Sequence, residues 1–139
     1  MECVIDTNVL VDYIILESEL HEKARLNLEK VDKGLVPSVV VEELAHVLNN
    51  FKLSKNTINE KIGEVLDSYE VVGISEKEIN NARQIILNEQ QTTFKKFNDK
   101  LILSIAKEKD LPLLTFDGGL ISECKTHGVK LFVHDDKTK

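Results

Sequence analysis

The sequence predicts an α/β fold, a three-layer α/β/α arrangement around a five-stranded parallel sheet. Two observations predict it. Short apolar runs of β type alternate along the chain with longer segments whose apolar residues recur at helical spacing, and strands separated by helices pair in parallel with both faces covered. The length, 139 residues with 42% hydrophobic and 30% charged content, suits one domain with one core.

Cys3-Val4-Ile5 is the first strand and ends at Asp6. An apolar helix follows from Asn8 to about Leu16, better suited to a core position than to a dimer face. A charged amphipathic helix runs from Glu19 to about Lys33, with Leu20, Ala24, Leu28 and Val31 on one side. Gly34 is placed as its stop. Leu35-Val36-Pro37 is the second strand, and Ser38 is a candidate N-cap for a helix to about Asn50. That helix is expected to bury Val40, Leu44, Val47, Leu48 and Phe51. Ser54 opens a helix through Tyr69 with Ile58, Ile62, Val65 and Leu66 on one face. Glu70 to Ile74 is the third strand, and Ser75 caps a helix with Ile79, Ala82, Ile85 and Ile86 inside. Thr92 to Lys96 reads as a loop, Phe97 to Lys109 as a helix and Pro112 to Phe116 as the fourth strand. Leu120 to Thr126 is a short helix and Val129 to Val133 the fifth strand. One domain over residues 1–134 and a frayed polar tail over 135–139 complete the expectation.

Several function classes are excluded at this level. No apolar run approaches the ~18–20 residues of a membrane helix. Met1-Glu2-Cys3 lacks the basic opening of a signal peptide, so a cytoplasmic location is expected. Cys3 and Cys124 would stay reduced there. Cys124 and His127 have a C-x-x-H spacing with His134 beyond, but too few further ligands for a zinc site. His21 and His46 fall on helical stretches as surface or core-edge residues. There is no G-x-G-x-x-G after the first strand, no Walker A run and no nucleophile elbow. Asp6-Thr7-Asn8 is not the Asp-x-Asp of a phosphoaspartyl phosphatase, and the acidic pair of a receiver is missing. The formal charge of −6, from 18 Lys+Arg and 24 Asp+Glu, argues against a nucleic-acid partner unless cations reverse the local sign.

In an open parallel sheet, ligands sit beyond the carboxyl ends of the strands. Asp6 follows the first strand, Glu42 and Glu43 lie on the helix after the second, Asp117 follows the fourth, and Asp99 opens the Phe97 helix. Singly, each suits a cap or a turn. Four together would repel one another without a cation. At ~100° per residue, Glu43 lies ~100° from the centre of its helix's buried stripe and Glu42 ~160°, so Glu43 borders the core and Glu42 points to solvent. Lys95, Lys96 and Lys100 flank Asp99 as a candidate phosphate-facing patch, or simply a solvated basic loop.

These residues resemble the PIN-domain family. Asp6-Thr7-Asn8-Val9-Leu10 is similar to its opening motif, and the run Pro37 to Leu44 with Val47-Leu48 to its second. Asn98-Asp99-Lys100-Leu101-Ile102 is similar to the third, and Leu113-Leu114-Thr115-Phe116-Asp117 to the fourth. The order is right, and the size is that of a VapC-type toxin. Lys100 and Gly118-Gly119 depart from the usual small residue and charged pair. The resemblance implies a ribonuclease that uses Mg²⁺ or Mn²⁺, one or two ions held by Asp6, Glu43, Asp99 and Asp117, with Asn8 and Thr115 in support. It also implies RNA as substrate, a homodimer and a small antitoxin as partner. A PIN nuclease of RNA processing, or an inactive RNA- or protein-binding module, shares the same motifs. Two bound divalent ions would cancel the four cluster charges, so the acidic balance does not count against RNA.

Overall fold

The computed structural model describes residues 1–133. Strands β1 (Glu2–Ile5), β2 (Lys33–Pro37), β3 (Glu70–Val72) and β4 (Leu113–Leu114) form one parallel sheet in the order β3-β2-β1-β4. Seven helices occupy the described residues: α1 (Thr7–Ile14), α2 (His21–Glu29), α3 (Ser38–Asn50), α4 (Lys55–Ser68), α5 (Glu76–Asn88), α6 (Phe97–Lys109) and α7 (Gly118–His127). A 3₁₀ turn, Phe94–Lys96, leads into α6. Helix α1 packs between α2 and α3, and α3 packs on α4, while α6 packs between α5 and α7 and lies against β1, which gives the three-layer α/β/α architecture. No helix among the described residues is long and apolar enough to cross a membrane.

The core follows from the apolar pattern. Val4 and Ile5 of β1, Leu44 and Leu48 of α3, Ile102, Leu103 and Ile105 of α6, and both residues of β4 are all but fully buried. Each such side chain contributes about 1.5–3 kcal/mol relative to exposure. Helix ends are fixed locally. Ser54 Oγ accepts the Thr57 N–H at 3.1 Å, and the Ser75 N–H donates to Glu78 at 2.9 Å in a capping box. Gly128 closes α7 at φ 74°, in the left-handed region that glycine adopts without steric cost.

The structure corrects five expectations. The fifth strand is reduced to a single parallel bridge, Leu113 to Leu131, because its would-be neighbour β4 is only two residues long. Helix α2 stops at Glu29, since the Asp32 and Lys33 N–H groups turn to the Met1 carbonyl and start β2. Gly34 is therefore no helix stop. It lies in β2, where a Cβ would stand 2.7 Å from both Ile5 Cδ1 and Tyr69 Cδ1. Pro37, not Ser38, occupies the N-cap of α3, with no side-chain bond, and Ser38 is the first helical residue. Phe51, just past the end of α3, and Leu66 and Ile79 are exposed, since α4 turns Val65 and α5 turns Ala82 and Ile86 into the core instead. The tail 135–139 lies outside the described residues.

Candidate active site

Because β1 pairs in parallel with both β2 and β4, the carboxyl ends of all three open on the same edge of the sheet. A cleft of about 490 Å³ lies there, and Asp6, Glu43, Asp99 and Asp117 all line it. Each acid is delivered by a different element.

Asp6, 5% exposed, ends β1 and caps α1. Its Oδ1 accepts the Thr7 N–H at 2.7 Å, and its Oδ2 accepts from Thr115 Oγ1 at 2.7 Å and from Asn8 Nδ2 at 3.2 Å. Thr115 also accepts the Asp117 N–H at 3.1 Å, and Asn8 Oδ1 accepts the Phe116 N–H at 3.2 Å. Asn8 and Thr115 thus tie the β1 and β4 ends together around Asp6. Glu43, on the cleft side of α3, accepts from Thr7 Oγ1 at 2.6 Å and Asn98 Nδ2 at 3.0 Å. Glu42 is exposed, as the helical stripe requires. Asp117 caps α7 by accepting the Leu120 N–H at 2.8 Å. Asp99, in the first turn of α6, accepts no hydrogen bond from the described residues.

The electrostatics reflect this crowding. Burial pushes the Asp6 carboxyl up to about 6; hydrogen bonds from Thr115 and Thr7 oppose this, and the nearby Asp99 and Glu43 charges add to it. Asp99 is also raised, first by burial and then by Asp117 and Glu43, against the opposing pull of Lys96 and Lys100. A divalent cation reverses both effects. The donors are all carboxylate oxygens, the hard set that Mg²⁺ or Mn²⁺ takes, and Asp99 is free to turn toward an ion.

Thr7 and Asn98 are positioning residues that the motifs did not single out. Both stand next in sequence to a cluster acid, and they hold Glu43 from both sides. His46, exposed one turn beyond Glu43, forms part of the rim.

The lysines separate. Lys95 and Lys96 are exposed on the 3₁₀ turn, whereas Lys100 faces no phosphate. Its side chain is 3% exposed and its ammonium lies between Glu89, at 3.1 Å, and Glu123. One residue past Asp99 means a rotation of about 100° around α6, away from the cleft and toward α7. The outer oxygens of the two carboxylates meet His127 Nε2 at 3.1 and 3.4 Å. Glu89, Glu123 and His127 bring three ligand atoms within 4.8 Å of one another, a closer grouping than the cleft acids form, and Lys100 already supplies positive charge there. Cys124 is fully buried in the core, its thiol pushed up to about 11 by burial, so the C-x-x-H pair does not act as one unit. His134 lies outside the described residues.

Known proteins share this sequence pattern and this fold. The PIN domain family model matches residues 3–123. Among solved structures, the chain is similar to VapC20 of Mycobacterium tuberculosis, a sarcin-ricin loop cleaving toxin (TM-score 0.76, 16% identity, covering 87% of this chain and 94% of that one). It is similar to VapBC2 of Rickettsia felis, bound to a promoter DNA fragment (TM-score 0.69, 22% identity, 94% and 97% covered). It is also similar to FitAcB of Neisseria gonorrhoeae (TM-score 0.63, 20% identity, 95% and 96% covered). No curated protein matches the sequence. With the family's match extending over most of the sequence, the chain belongs to the PIN domain family.

Proposed function

We propose that this protein is a metal-dependent endoribonuclease, the toxin of a toxin–antitoxin pair. One observation carries the reading: four acids from β1, α3, α6 and the β4–α7 junction line one cleft at the carboxyl edge of the sheet. The toxin role draws support from VapC20, a toxin that shares the fold. The expected setting is cytoplasmic, with the chain a homodimer held in check by a small antitoxin.

Asp6 and Asp99 would hold the principal ion, Mg²⁺ or Mn²⁺, and Asp117 would share it or hold a second. When bound, such an ion lowers the pKa of water, neutralises phosphate charge and supports the leaving oxygen. The chain's own residues supply the rest. Thr115 and Asn8 fix the Asp6 carboxylate so that it need not reorganise when a cation or phosphate arrives. Glu43, held by Thr7 and Asn98, would bind an ion or accept a hydrogen bond from the attacking water and orient it in line with phosphorus. The crowded carboxylates repel phosphate on their own, so binding of RNA is expected to depend on the ion.

The test is RNA cleavage by the purified protein with Mg²⁺ or Mn²⁺, with chelator, and for Asp99→Asn. Cleavage is expected with either ion, and loss with chelator and in the variant, while circular dichroism shows the fold intact. Wild-type cutting by Asp99→Asn refutes the site assignment. Growth arrest on expression of the wild type, absent for Asp99→Asn, tests the toxin role.

A further inference from the structure

We propose that Phe94 is a platform on which an unpaired base of the RNA substrate stacks, with Lys95 and Lys96 holding the adjoining phosphates. This makes single-stranded RNA the substrate class at that point and rests on the nuclease reading of the cleft. Phe94 is 55% exposed, on the 3₁₀ turn that leads directly into α6. Its ring meets Phe97 tilted at 53°, with centroids 5.8 Å apart, so its support comes from one side and the rest stays open to solvent. An apolar ring followed directly by two exposed lysines is poorly matched to an apolar partner, which would have to desolvate both ammonium groups. It is well matched to a nucleotide, whose base has a flat π-face and whose phosphate is anionic.

The turn is built rather than loose. Thr93 Oγ1 accepts the Lys95 N–H at 3.3 Å, the Thr93 carbonyl accepts the Lys96 N–H at 3.0 Å, and the Phe97 N–H returns to the Phe94 carbonyl. Such ordering lowers the entropy cost of binding. Asp99 follows five residues later, about 9 Å along the turn and helix axis, the scale of one or two nucleotides. Lys96 also lies near enough to Asp99 to oppose the rise of its carboxyl, so a strand stacked on Phe94 would run beside the cleft. Single strands offer free bases for stacking, and a duplex does not.

The sequence contains no tryptophan, so Phe94→Trp creates a unique fluorophore at the platform. With all four cleft acids intact and Ca²⁺ in place of Mg²⁺, so that an ion is bound while cleavage is held back, an unpaired oligoribonucleotide is expected to quench it and the same sequence as duplex to leave it unchanged. In the active protein, Phe94→Ala is expected to raise KM for single-stranded RNA about tenfold with kcat preserved, and Phe94→Trp to restore it. Phe51→Ala, at an exposed phenylalanine that does not line the cleft, serves as control and is expected to leave KM unchanged. Absence of quenching together with an unchanged KM overturns the proposal. So does a Phe94→Ala protein that alters its sedimentation while keeping its KM, because Phe94 then serves a protein contact. Quenching by single strands in a protein that never cuts RNA supports the platform and refutes the nuclease reading.

Discussion

Asp6→Asn is expected to stabilise the metal-free protein, and to do so more at neutral pH than at acid pH. Asp6 is 5% exposed, and its carboxyl stands at about 6 against 3.8 for a free aspartate, chiefly through burial. A carboxyl raised in this way keeps in the fold a proton that the unfolded chain releases. Its contribution to stability is complete below about pH 4 and is lost as pH rises to about 6, a change of about 3 kcal/mol. Asparagine removes this dependence but also disturbs the bonds from Thr7, Thr115 and Asn8. That disturbance does not vary with pH, so the informative quantity is how the variant's stability relative to wild type changes with pH. Between about pH 5 and about pH 7.5 the variant should gain about 1.4 kcal/mol on the wild type, near 5 °C in melting temperature for a chain of this size. Thermal melts in chelator at the two pH values measure it. Added Mn²⁺ should then raise the melting temperature of the wild type well above that of Asp6→Asn. A variant whose relative stability is the same at both pH values would refute the reasoning, because the Asp6 carboxylate would then carry no desolvation penalty.

Two further predictions concern the frame around the cleft. Lys100→Met removes the ammonium that joins Glu89 to Glu123 and leaves two half-buried carboxylates facing each other; it should cost about 3 kcal/mol in urea unfolding, and adding Glu123→Gln should recover part of it. Gly34→Ala drives a methyl group against Ile5 and Tyr69 and should cost about 1–3 kcal/mol in thermal unfolding, with the specific cleavage rate of the folded fraction unchanged.

What the sequence made legible was whatever a local period encodes. The order of strands and helices followed from apolar spacing, and the choice of Glu43 over Glu42 from the angle of one helical stripe. Convergence of the four acids followed from a general property of parallel sheets, that loops beyond the carboxyl ends share one edge. The rest depends on partners far along the chain. Lys100 reads as part of a basic run, and only the arrival of Glu89 and Glu123 explains its burial. Gly34 sits beside a helical segment in sequence, but its role is set by Ile5 and Tyr69, which pack where a side chain would go. Asn98 could have been noticed as a polar residue next to Asp99, yet its bond to Glu43 spans 55 positions. The fifth strand failed on ladder length, which composition does not report.

The short strand β4 also sets when the acid cluster becomes complete. Thr115 reaches back 109 positions to Asp6, and Asp117 follows two residues later. At about 5–20 residues per second, a ribosome makes Asp6 roughly 5–20 s before it makes these partners. During that interval a nascent chain holds a buried-type carboxylate without its hydroxyl donor and lacks the fourth acid. A chain cut short before β4 lacks both Thr115 and Asp117. Within a single round of translation, the protein acquires its complete acid set abruptly and late, a delay written into strand order rather than into any inhibitor.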